Sequence, residues 1–279
     1  MRPALAGLAL AVVAMGCSAD RLVDRGQAAL DRHDLPGAEE GFRRALSREP
    51  RHPGALAGLG WTYHLAGQRS AAFGAFERCV QVAPESAECL RGLASVALAG
   101  GEPGRARTLL GEAMALAPDD PKVQASMALM ELSTGDIDGG AQRYADLVAR
   151  LPDEGEYRLG LAEARLRQGR IDDSLAEIEA GLALPDTPVR YRALLLQLQA
   201  RAVVRASGGR EDPENCDETA PPVRAWLDAA DAALDAAEAT RVALPDLPAV
   251  RRLVARRRSI VDQACPQPLP PIVPPPPSE

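Results

Sequence analysis

Between Pro53 and Ser86 the chain alternates two helical patterns of apolar and polar positions. In the first, Leu56, Leu59, Gly60 and Tyr63 recur at three- and four-residue steps, which places them on one face of a helix. Gly67 then falls where a helix ends on a left-handed residue. In the second, Ala72, Phe76 and Cys79 mark another apolar face, and Pro84 stops it. Small residues at Gly60 and Ala72 let the two helices approach closely. The stretch is one helix hairpin, and the chain repeats it. Pro50, Pro84, Pro118 and Pro152 are spaced by 34, and so are Gly67, Gly101, Gly135 and Gly169. Two independent ladders with one period predict stacked supersecondary units, each burying its apolar face against its neighbours.

The unit resembles the tetratricopeptide repeat, with Leu56, Gly60, Tyr63, Gly67, Ala72, Phe76, Cys79 and Pro84 at that family's marked positions. The preceding unit supplies Leu22, Gly26, Ala38, Phe42, Ala45 and Pro50, with His33 in place of the turn glycine. Later units supply Leu90, Ala94, Gly101, Ala106, Ala113 and Pro118, then Ala128, Gly135, Gly140, Tyr144 and Pro152, then Ala162, Gly169, Ser174 and Pro185. The resemblance implies an all-α, right-handed superhelical solenoid of about six helix pairs plus a C-terminal capping helix. Five units fill 17–186. The segment 187–245 reads as a degenerate sixth pair, opened by Pro188 and carrying an acidic, turn-rich insertion over 207–222. A capping helix spans 246–265, entered through Asp246 and Pro248, and a disordered proline-rich tail covers 266–279.

The same resemblance places a ligand groove on the first helix of each unit. Its fifth, ninth and twelfth positions give Ala57, Trp61 and His64; Arg91, Ser95 and Leu98; Ala125, Leu129 and Leu132; Leu159, Glu163 and Leu166. Solvent-facing positions are ordinarily polar, and most of these are not. They are therefore expected to form an apolar track for a segment of another protein with Trp61 as anchor, or a surface that the chain itself covers.

The segment 1–16 has a different pattern. Arg2 precedes an apolar run from Pro3 to Met15, too short to span a bilayer, which ends at Ala14-Met15-Gly16-Cys17. This is similar to a bacterial lipoprotein signal, with Cys17 as the lipidated residue and a lipid anchor in the outer membrane, facing the periplasm. Cleavage after Ala19, giving a soluble periplasmic protein, is the rival reading. Asp20 stands ready to cap the first repeat helix. Setting Cys17 aside leaves four cysteines. Cys79 and Cys89 lie five residues either side of Pro84, so they face each other across a hairpin. A disulfide there leaves Cys216 to pair with Cys265, in keeping with an oxidising compartment. The rival for Cys79 and Cys89 is a pair of small buried residues.

Composition narrows the function. The net charge is −7 and the pI is near 5.2, which argues against a nucleic-acid partner. Aromatic residues make up 3% of the chain, and Lys122 is its one lysine. No metal-binding helix motif, phosphate-cradling loop or nucleophile elbow occurs, so neither catalysis, cofactor, metal nor small-molecule substrate is expected. Asp212, Glu214, Asp217 and Glu218 read as a solvated loop, at a spacing that fits no calcium motif closely. Arg251, Arg252, Arg256, Arg257 and Arg258 make the last helix basic. That fits a polar outer face or a patch for an acidic partner or lipid headgroup. A small repeat lipoprotein of this plan is similar to the pilotins of type IV pili, which help a secretin form its ring. An adaptor for gliding motility or outer-membrane protein assembly is the alternative, with a soluble chaperone as a third reading.

Overall fold

A computed structural model describes residues 19–210 and 212–266; the Cys17 anchor and nearly all of the proline-rich tail lie outside them. Among the described residues there are thirteen helices and no strands. They are α1 (19–31), α2 (Leu35–Arg48), α3 (Pro53–Leu65), α4 (Arg69–Val82), α5 (Ala87–Ala99), α6 (Pro103–Leu116), α7 (Pro121–Thr134), α8 (Ile137–Arg150), α9 (Gly155–Arg167), α10 (Ile171–Ala183), α11 (Val189–Ala206), α12 (Cys216–Ala239) and α13 (Leu247–Ala264). The fold is all-α, built from successive helix hairpins. The chain divides into two compact units inside α11, between Arg192 and Ala193.

In the first unit each hairpin closes in the same way. Gly67, Gly101, Gly135 and Gly169 take φ of 72°, 80°, 95° and 79°, the left-handed region that a side chain penalises. The amide after each glycine then bonds back to a carbonyl five residues earlier. Gln68 to Tyr63, Glu102 to Ala97, Asp136 to Glu131 and Arg170 to Arg165 are all 2.9 Å. This satisfies a carbonyl that the helix end would otherwise leave open. His33 accepts the same strain at φ 59°, and Asp34 completes the same bond to Ala29. Starts are fixed as regularly: the side chains of Asp34, Ser86, Asp120 and Asp136 accept from first-turn amides. Asp20 does not cap. It lies within α1, and its carboxylate meets His52 Nε2 at 2.9 Å, while His52 Nδ1 caps α3.

The core is a ladder too. Phe42, Phe76, Leu110, Tyr144 and Ile178 are spaced by 34, one per hairpin, and all are buried. Three of these knobs sit against glycine in the next hairpin. A Cβ on Gly58 would lie 2.3 Å from the Phe42 ring, one on Gly92 would lie 2.0 Å from Phe76, and one on Gly160 would lie 2.3 Å from Tyr144. Consecutive helices from α2 to α10 all pack on one another. In addition α3 meets α5, α5 meets α7 and α7 meets α9, whereas α4, α6, α8 and α10 do not meet. A stack whose odd-numbered helices touch and whose even-numbered ones splay must curve with the odd layer inside. The odd helices therefore line the concave face of this unit. Cys79 on α4 and Cys89 on α5 are bridged, joining two successive hairpins, with Cα atoms 5.5 Å apart.

The second unit packs α11, α12 and α13 around Ala200, Val204, Val223, Leu227, Leu234, Val254 and Val261. The insertion expected over 207–222 is shorter than its composition predicts, because α12 begins at Cys216 and carries Pro221 and Pro222 inside it. Asp217 and Glu218 then occupy the first turn, where the helix dipole favours negative charge. A bridge from Cys216 to Cys265 ties the start of α12 to the end of α13. The arginines of α13 are largely paired within the unit. Arg251 meets Asp235 at 2.8 Å and Glu238 at 2.6 Å, and Arg258 meets Asp228 at 2.8 Å and Asp231 at 2.9 Å. Arg257 donates to the Ser207 carbonyl.

Candidate functional site

The concave wall of the first unit differs from the apolar track that the repeat register predicts. Leu132 and Leu166 are only 2% and 3% exposed, and Ala57 and Ala125 are buried as well. The cause is helical geometry: position 12 lies four residues beyond position 8, so both point at the second helix of their own hairpin. Leu132 shows it directly, since a Cβ on Gly140 of α8 would lie 2.7 Å from its Cγ. Leu98 is half-buried against the cluster of Ala106, Leu110 and Met130. Leu159 is half-buried, and Glu163 is held by Arg167 at 2.9 Å. Of the candidate leucines only Leu129 stands out, 48% exposed.

The structure assembles a polar and aromatic centre instead. Trp61 on α3 donates its indole N–H to Glu88 Oε1 at 2.5 Å, across to α5. Arg91, one turn further along α5, holds the same carboxylate through Nε at 3.0 Å and Nη2 at 2.8 Å. Its guanidinium also lies over the Trp61 ring, 4.2 Å from the centroid. Although it is an arginine, its side chain is 13% exposed. Burial at this depth is tolerable because the charge is paired and its donors are used. Phe76 supports the indole edge-on at 5.1 Å, and His64 stands edge-on at 5.7 Å. The core ladder thus fixes the plane of the tryptophan.

Charges of both signs act around this centre. Burial first, then the Arg190, Arg69 and Arg91 guanidiniums, lower the pKa of His64 below the usual imidazole value. Burial and Arg190 do the same to His33. Arg190 also lies over the Tyr191 ring at 5.7 Å. Burial, then the charge of the Glu156 carboxylate, push the Tyr191 hydroxyl well above the usual phenol range. Neighbouring Tyr157 is pushed up to about 12, chiefly by burial. Neither Arg69 nor Arg190 makes an ion pair among the described residues. Among those residues no group of three or more His, Cys, Asp or Glu side chains converges to hold a metal. No helix among them is long and apolar enough to cross a membrane.

Glu88, Glu156, Arg190 and Tyr191 are not among the residues that the repeat register marks. Glu88 and Glu156 share the second position of their hairpins, two repeats apart, a register the three groove positions omit.

A curved stack of helix hairpins with a half-open, aromatic-centred inner wall defines a helical-repeat scaffold of the kind that holds other polypeptides. Sequence profiles of the tetratricopeptide repeat match residues 63–130, and a second profile of that repeat matches 23–81 and 126–187. The chain therefore belongs to the tetratricopeptide-repeat family. A search among curated proteins returned no match. Among solved structures, a tetratricopeptide repeat protein from Parabacteroides merdae superposes with a TM-score of 0.61 at 14% identity, over 86% of this chain and 84% of its own. The thermophilic repeat protein TTC0263 from Thermus thermophilus gives 0.56 at 24% identity, over 64% of this chain and 99% of its own. A chain of the APC/C hetero-tetramer Cut9–Hcn1 gives 0.61 at 13% identity, over 86% of this chain and 42% of its own.

Proposed function

We propose that this protein is an exported scaffold, lipid-anchored through Cys17 at the periplasmic side of the outer membrane. Its concave α3–α9 wall holds a segment of another protein during assembly of an envelope complex, the type IV pilus secretin being one candidate. The observation that carries the reading is the Trp61–Glu88–Arg91 centre. An aromatic plane and an arginine are fixed on the inner wall by two hairpins at once, ordered before any partner arrives. The signal-like segment ending at Cys17 and the two disulfides favour export. The family is one of protein-binding scaffolds.

The test uses a photoreactive residue in cells. Placed at Leu129 on the concave wall, it is expected to capture one envelope protein. Placed at Leu116, an equally exposed leucine on α6, it is expected not to capture that protein. Equal capture from both positions would remove the concave wall as the binding face. Radioactive palmitate that labels the parent and the Cys17→Ala variant equally would remove the anchor.

A further inference from the structure

The arginines of α13 are sorted by side. Arg251 and Arg258 face α12, where they meet Asp235, Glu238, Asp228 and Asp231. The one acid of the helix, Asp262, is spent on Arg224 of α12 at 3.1 Å. Arg252 and Arg256 are exposed and make no ion pair among the described residues. They border an apolar line. Ala249, Leu253, Arg256 and Ile260 follow at helical steps and are all exposed, so they form one stripe along α13. By helical geometry the stripe lies about a quarter turn from the buried line of Val250, Val254 and Val261, on the side away from the α12 acids. Leu253 is 45% exposed and Ile260 43%. On that side α11 carries no acidic residue. The acidic loop meets α13 past the stripe, where the Asp212 carbonyl oxygen lies 3.6 Å from Cys265 Sγ.

We propose that this face of α13 lies on the surface of an anionic phospholipid bilayer, with Leu253 and Ile260 at the acyl boundary and Arg252 and Arg256 at the phosphates. It lies on the bilayer and does not cross it, since no helix among the described residues is long and apolar enough to do so. The chemistry of the stripe selects this occupant. Arg256 falls between the leucine and the isoleucine, where a packed protein interface would bury its charge. At a bilayer its stem covers apolar surface while the guanidinium stays at the headgroups. A nucleic acid would use the guanidiniums and leave Leu253 and Ile260 in water. A second copy, stripe against stripe, would bring four guanidiniums together with no acid among them. The inference goes beyond the scaffold reading and does not rest on the Cys17 anchor, which the test removes.

The test uses the full chain with Cys17→Ala, so that no lipid is attached there. Trp61→Phe and Trp226→Phe leave the tryptophan introduced by Ile260→Trp as the only reporter. Vesicles of phosphatidylcholine, alone or with about one quarter phosphatidylglycerol, carry bromine on their acyl chains, which quenches an indole that enters the boundary. Quenching is expected on the anionic vesicles, to fall as salt is raised, and not on the neutral ones. With Leu116→Trp in place of Ile260→Trp, an equally exposed site on α6, no quenching is expected. Arg252→Gln together with Arg256→Gln should weaken vesicle binding about thirtyfold, at about fivefold per charge. Circular dichroism of each variant checks that the fold is kept. Quenching that is absent at position 260, equal on neutral vesicles, or equal at position 116 would overturn the proposal. So would a double arginine variant that binds as the parent does. Attachment through the apolar run at 3–15 alone would leave position 260 unquenched and count against it in the same way. An emission shift that grows with protein concentration without vesicles would overturn it in favour of a second copy. Capture from Leu129 is independent of all these outcomes, so failure here is distinct from failure of the concave binding face.

Discussion

Replacing Gly92 by alanine sets two effects of known sign against each other. Gly92 lies inside α5, where alanine is the better helix former by about 1 kcal/mol. A Cβ at this position, however, would stand 2.0, 2.3 and 2.5 Å from Cε1, Cδ1 and Cζ of Phe76. Carbon atoms rest at about 3.5–4.0 Å, so the overlap is more than an ångström with three ring atoms. The ring has little room to retreat: it is fully buried, and a Cβ on Gly60 of α3 would lie 2.7–2.8 Å from the same three ring atoms, so two helix backbones crowd them. Overpacking of this kind costs about 1–3 kcal/mol, and three atoms put this site at the upper end. The expected net loss is about 2 kcal/mol, or about 4–8 °C in Tm for a unit of this size. Gly74 and Gly111 serve as controls, since a Cβ on either meets nothing within 4 Å. Alanine there should raise stability by about 0.5–1 kcal/mol through helix propensity alone. Thermal melts followed by circular dichroism read all three. Because Phe76 supports Trp61, emission of the Gly92→Ala protein should also shift in a Trp226→Phe background. If Gly92→Ala melted at or above the parent while the controls rose as expected, the ring would not be confined between the two glycines, and the account of the ladder would fail.

Two other perturbations follow from the same packing. Leu132→Ala should cost about 2–5 kcal/mol as a buried truncation, whereas Leu129→Ser should stay within about 0.5 kcal/mol, both read by urea denaturation; equal costs would put the two leucines in one environment. Reduction of the bridges should destabilise the second unit more than the first. Chain entropy assigns about 3 kcal/mol to the Cys79–Cys89 separation of 10 residues and about 4 kcal/mol to the Cys216–Cys265 separation of 49. Melts with and without dithiothreitol, with thiol alkylation and mass spectrometry to confirm the redox state, would show the reverse order if loop closure did not govern the effect.

Backbone requirements are the most legible part of the chain. A left-handed turn residue admits few substitutes, so its glycines keep a visible period, and even where His33 intervenes the turn and its hydrogen bond are retained. The knob positions of Phe42, Phe76 and Tyr144 are readable for the same reason: one large residue must fill one gap. Their seats at Gly58, Gly92 and Gly160 keep the same register but belong to the following hairpin, so a reading confined to one unit passes over them. The inner wall is the hardest part to read. Leu132 and Leu166 look like groove residues because apolar side chains on a solvent face attract attention, yet that position turns toward the partner helix of the hairpin. Glu88 escapes notice because its meaning comes from Trp61, 27 residues earlier in the preceding unit. The start of α12 is hidden because Pro221 and Pro222 read as breakers, while the first turn below them is acidic and tied to Cys265.

What distinguishes this wall energetically is that its donors are satisfied in the free protein. An unpaired arginine and indole N–H at this depth would cost about 1–3 kcal/mol each, and any ligand would have to repay what the fold had lost. With Glu88 in place the fold bears no such cost, and Arg91 and Trp61 stay in the geometry a carboxylate needs.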